Sequence, residues 1–204
     1  MGESIKRIVG PYQDSYSPNG IIGEKDACGV GFVANVEGIE SNWILKQSLK
    51  GLNCMEHRGG CGGDSDSGDG AGILCSIPWG YLEEKINLKN TQEFNRGLGM
   101  VFMPNKKEKI EICKSICDEE AEKLKVNKTS WRTVPVNNEI LGPLAKANAP
   151  FICQWILYID KKDHKDVERL LFQLRKRIEK KIRETFKNDV GDCEFYFASL
   201  SSQT

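Results

Sequence analysis

Between His57 and Gly72 the chain places seven glycines in sixteen residues: His-Arg-Gly-Gly-Cys-Gly-Gly-Asp-Ser-Asp-Ser-Gly-Asp-Gly-Ala-Gly. Glycine loses more backbone freedom on ordering than any other residue and tolerates positive φ, so this run predicts a tight irregular loop rather than a helix or strand. Any fold the chain adopts must be assembled on either side of it.

Residues 1–27 contain Gly10-Pro11, Ser17-Pro18-Asn19-Gly20 and Gly23 with little periodicity, and read as a loose leader. The character changes at Cys28. Gly29–Val36 reads as a small buried strand, Glu37-Gly38 as a turn, and Leu45, Leu49, Leu52 and Met55 as one face of a helix. After the glycine loop, Ile73–Ile77 resumes a strand that Pro78 ends. A short helix over 79–86, a strand over 97–103 and a helix over 106–125 follow, then strands over 130–136 and 151–159. The strongest helical signal runs over 163–186, with Val167, Leu171, Leu174, Ile178, Ile182 and Phe186 on one face. A last strand is predicted over 192–200. Strand and helix periods mix without a repeat, which predicts an α+β layered sandwich.

Lysine plus arginine equals aspartate plus glutamate, 29 each, leaving no net field for nucleic acid or a membrane surface. The basic run 175–183 is read as the solvated face of its helix. No apolar stretch approaches the ~20 residues of a membrane helix. The N-terminus lacks the apolar core of a signal peptide, and Lys6 stands where myristoylation needs Ser or Thr. A cytoplasmic or plastid-stromal protein is expected, with its eight cysteines mostly reduced and most of those after Cys28 buried as small hydrophobes.

Other chemistries fit poorly. No cysteine pair forms CxxC; Cys113 and Cys117 share a helix face, but no second pair completes a zinc site. Asp64-Ser65-Asp66 starts like an EF-hand, yet its sixth position is Asp69 and its twelfth Cys75. No Lys-Ser/Thr follows the glycines as a P-loop requires, and Gly68-Asp69-Gly70-Ala71-Gly72 opens a predicted strand rather than the helix of a dinucleotide site.

Cys28-Gly-Val-Gly-Phe32, followed 29 positions later by His57-Arg58-Gly59 and a glycine loop into Gly70-Ala71-Gly72-Ile73, resembles the class II glutamine amidotransferases, which are N-terminal-nucleophile hydrolases. The long link 55–73, with Pro150–Gln154 and Phe197–Ser202, is similar specifically to the glutamate synthases. The resemblance covers 28–204 and implies a four-layer αββα sandwich, incomplete here at the C-terminus, behind a leader or propeptide 1–27. It implies L-glutamine as substrate and Cys28 as nucleophile. Arg58 would shape the pocket, and His57 would be structural rather than a base. In the full-length enzyme the ammonia would pass to downstream synthase domains that convert 2-oxoglutarate to glutamate with FMN and a 3Fe-4S cluster. Electrons would come from ferredoxin or a nicotinamide-linked subunit; no cofactor or metal is implied in this segment. The arginine that grips the glutamine carboxylate and the Asn-Gly oxyanion pair would lie beyond Thr204, so the 204-residue polypeptide alone is expected to be inactive. Another class II amidotransferase, such as an amidophosphoribosyltransferase or asparagine synthetase, and a non-catalytic metal- or calcium-binding module are the competing readings.

The case for Cys28 also stands on acid–base chemistry. A thiol titrates near ~8.5 and an α-amine near ~7.7–8.0. Cleavage after Ala27 would put both on one α-carbon, where the amine takes the thiol proton without a histidine. Gly29 and Gly31 would let substrate approach the backbone. The aspartates of the loop, Asp64, Asp66 and Asp69, are expected to satisfy loop amides or pair with Arg58, and Trp79 and Trp155 to sit in the core.

Overall fold

The computed structural model describes residues 29–56, 59, 64, 66–68, 70–86, 94–160, 163–187 and 195–204. Its framework is an antiparallel four-stranded sheet of Phe94–Met103 (β1), Lys128–Thr133 (β2), Phe151–Asp160 (β3) and Tyr196–Ser201 (β4), in the order β2-β3-β1-β4. Ten residue pairs join β1 to β3, from Phe94 opposite Asp160 to Met103 opposite Phe151.

The near-continuous apolar run of β3 is explained by burial on both sides of the sheet. Alternate residues Cys153, Trp155, Leu157 and Ile159 join the larger core, while Ile156 and Tyr158 join a second cluster on the opposite face. Two helices, Lys107–Lys123 and His164–Thr185, cover the first face. Numbered in chain order with Asn42–Cys54 (α1), Trp79–Lys85 (α2) and Pro143–Ala147 (α4), these are α3 and α5. The helical stripe expected for α5 is the buried one: Val167, Leu171, Leu174, Ile178 and Ile182 are in the core, and Phe186 packs partly against it. Trp155 is fully buried, and Trp79 lies half-buried against the second cluster.

The basic run on α5 does more than face solvent. Arg177 and Lys181 reach across to α3, where Arg177 meets Glu120 at 2.8 Å and Lys181 meets Glu119 at 2.9 Å. Glu120 occupies the buried stripe of α3 and also takes Lys123 at 2.6 Å. The Lys123 hydrogen bond foremost, helped by Arg177, holds its carboxyl below the usual range against the opposing effect of burial.

One carboxylate ties α3 to the sheet. Asp118 accepts hydrogen bonds from Thr129 Oγ1 at 2.7 Å, Trp131 Nε1 at 3.0 Å and Trp155 Nε1 at 3.1 Å. The two indoles stack with centroids 5.3 Å apart and planes 16° from parallel.

Three local expectations need correction. Residues 29–35 and 71–78 form no strand ladder among the described residues, and Val30, Phe32, Val36 and Leu74 are exposed. A strand is stabilised by a neighbour's backbone groups, and among the described residues neither segment has one; the Ile77 amide donating to Gln203 O is a single 3.0 Å link. α1 forms where the leucine spacing put it, capped by Ser41, yet buries no residue. The strand expected at 130–136 starts two residues earlier and ends at Thr133; the Val134 amide still bonds Ile152 O at 3.0 Å. The short α4, opened by Pro143, was not anticipated.

Tyr158 is 3% exposed, and its hydroxyl has no hydrogen-bond partner among the described residues. Since a buried hydroxyl without a partner costs roughly 1–3 kcal/mol, Tyr158→Phe is expected to leave the urea unfolding midpoint unchanged or raise it. A marked fall in the midpoint would contradict this.

Candidate active site

Cys28, His57, Arg58, Cys61 and Asp69 lie outside the described residues, as does the leader 1–27. The chain flanking them is described. Asn35 makes the turn that follows the N-terminal segment: its Oδ1 accepts the amides of Glu37 at 2.8 Å and Ile39 at 3.2 Å, and Gly38 takes φ +72°. Ser41 then caps α1, its hydroxyl accepting the Ile44 amide at 3.4 Å.

The N-terminal segment passes the end of α1 closely. A Cβ at Gly31 would stand 3.3 Å from the Met55 methyl, so this glycine lets the two protein segments approach closely. Cys28 is three residues before that contact and Arg58 three residues after it.

On the far side of the glycine loop, Asp64 and Ser67 form a compact hydrogen-bonded unit. Asp64 Oδ1 accepts the Ser67 amide at 2.8 Å; its Oδ2 accepts the Ser67 hydroxyl at 2.7 Å and the Leu144 amide at 2.8 Å. Ser67 Oγ accepts the Ala145 amide at 3.0 Å, and Ser67 is buried. Asp64 therefore satisfies a loop amide as expected. The bonds to Leu144 and Ala145 were not foreseen; Asp-x-x-Ser spacing hints at the local turn, but nothing in the sequence points 80 residues downstream.

The Leu144 amide foremost, then the Ser67 hydroxyl, holds the Asp64 carboxyl down at about 2. A carboxylate depressed below its ordinary ~3.9 stabilises this docking above that pH, and the contribution fades as the pH falls through about 2. The backbone amide shifts of Leu144 and Ala145 are expected to stay constant from neutral pH to about 4 and to move below it. A titration midpoint near ~4 would show that the carboxylate is not so held.

Next to the second cluster, Arg96 pairs with Glu83 and lies 4.6 Å over the Trp79 ring. Cys113, Cys117 and Cys153 are buried as small hydrophobes, whereas Cys54 and Cys75 are exposed. Burial pushes the Cys117 thiol well up, which suits an inert core residue. Among the described residues no three His, Cys, Asp or Glu side chains gather as a metal site, and no helix is long and apolar enough to cross a membrane.

The sequence profile of the family described as glutamine amidotransferases class-II matches residues 28–204. The chain belongs to that family. As an amidotransferase domain it is homologous to the glutaminase portion of ferredoxin-dependent glutamate synthases. It is 40% identical over 188 residues to ferredoxin-dependent glutamate synthase 1 of Arabidopsis thaliana, covering 90% of this chain and 11% of that one. It is 40% identical over 198 residues to the chloroplastic ferredoxin-dependent glutamate synthase of rice, covering 95% of this chain and 12% of that one. The ferredoxin-dependent glutamate synthase of Pyropia yezoensis is 37% identical over 207 residues, covering 100% of this chain and 13% of its own. The amidotransferase chain thus spans about an eighth of the length of these relatives.

Proposed function

We propose that the domain hydrolyses L-glutamine to glutamate and ammonia, with Cys28 as nucleophile after cleavage between Ala27 and Cys28, residues 1–27 being a leader. The observation that carries this is the start of the family match at Cys28 itself, 27 residues into the chain. A class whose nucleophile is the first residue of the mature chain has its shared sequence begin there.

The chemistry follows from the pairing of thiol and amine on one residue. The Cys28 α-amine takes the thiol proton and the thiolate attacks the glutamine side-chain carbonyl. Collapse of the tetrahedral adduct breaks the C–N bond, and ammonia leaves with the proton carried by the amine. Water then attacks the glutamyl thioester, releasing glutamate and restoring the thiol. While Ala27 is attached, the nitrogen is an amide that cannot accept the proton, so cleavage switches the site on. Arg58 shapes the pocket wall next to this nucleophile.

In the four-layer αββα arrangement, the apolar segments 29–36 and 73–77 would be strands of a second sheet. The exposure of Val30, Phe32, Val36 and Leu74 supports that reading, because apolar side chains at these positions gain most from a covering layer. In a complete synthase the ammonia would serve amination of 2-oxoglutarate. FMN and a 3Fe-4S cluster would lie in other domains, and no step of glutamine hydrolysis runs through either. Ferredoxin is favoured as electron source over a nicotinamide-linked subunit, and plastid stroma as location, by the relatives' names.

The test is labelling of the processed, complete chain with a glutamine-mimicking diazoketone, followed by peptide mass mapping. Label on the sulfur of an N-terminal Cys28 is expected. An unlabelled Cys28, or active enzyme that retains Met1, would end the proposal.

A further inference from the structure

We draw no further inference here: the strongest candidate, the cavity of about 460 Å³ at the C-terminal end of α5 lined by Arg183, Phe186, Lys187, Phe195 and Tyr196, carries nothing, because its two walls are joined through residues 188–194, which lie outside the described residues.

Discussion

Cys28→Ala in the complete, processed enzyme is expected to lower glutamine-dependent synthesis by roughly 10⁴-fold or more, the scale seen when a covalent nucleophile is removed, while sparing much of the turnover driven by added ammonia. The asymmetry is the informative part. Alanine removes the sulfur that forms the thioester but adds no bulk and leaves the α-amine, so nothing downstream of ammonia release is altered. Steady-state assays with glutamine and with ammonium salt on the same preparation decide it. Equal losses with both nitrogen donors would mean that the substitution damages the enzyme generally. Retention of glutamine-dependent turnover would mean that another group performs the attack.

Trp155→Ala is expected to have the largest effect on stability, about 3–5 kcal/mol for loss of a fully buried aromatic ring. Trp155 packs against Trp131 on one side and Phe197 on another, with ring centroids 5.3 Å and 6.3 Å away. Its removal also takes a donor from Asp118, which is left with Thr129 and Trp131. At roughly 2–4 °C per kcal/mol for a domain of this size, the thermal midpoint should fall by roughly 6–20 °C. Trp155→Phe keeps most of the ring and loses only the N–H, so a smaller cost of about 1–2 kcal/mol is expected. If the two substitutions destabilise equally, the hydrogen bond to Asp118 rather than the packing carries the contribution of this side chain.

The acid limb of the stability curve follows from Glu120. Its carboxyl is held below the ordinary ~4.3, so its contribution is present above that pH and disappears as the pH falls through the lower folded-state value. Glu120→Gln should flatten the decline of the urea midpoint below pH ~4, and an unchanged acid limb would contradict the linkage.

The parts of the fold that were legible in the sequence are those whose partners produce a local period. The α5 stripe needed only spacing of three and four, because one face meets a sheet and the other meets water. β1 and β3 were legible as apolar runs bounded by polar residues, since both of their faces are covered. The segments at 29–36 and 73–77 have the same composition as strands, but composition cannot supply a neighbour to pair with, and among the described residues they have no ladder partner. α1 was legible as a helix and misleading as a core element for the same reason. Of the candidate site, the loop and the amide-binding role of Asp64 were visible in residue type. The contact with Leu144 and Ala145 was not, because it joins elements 80 residues apart through backbone amides that any residue could offer. Cys28 and Arg58, which lie outside the described residues, rest on sequence and family resemblance alone.

The stacked pair of Trp131 and Trp155 has a practical consequence. Two indoles 5.3 Å apart and within 16° of parallel couple their transition dipoles, and the domain thereby carries its own optical gauge. An exciton signature in circular dichroism would vanish when β2 separates from β3, where the two residues stand directly opposite each other, so loosening of the sheet can be followed without attaching a dye.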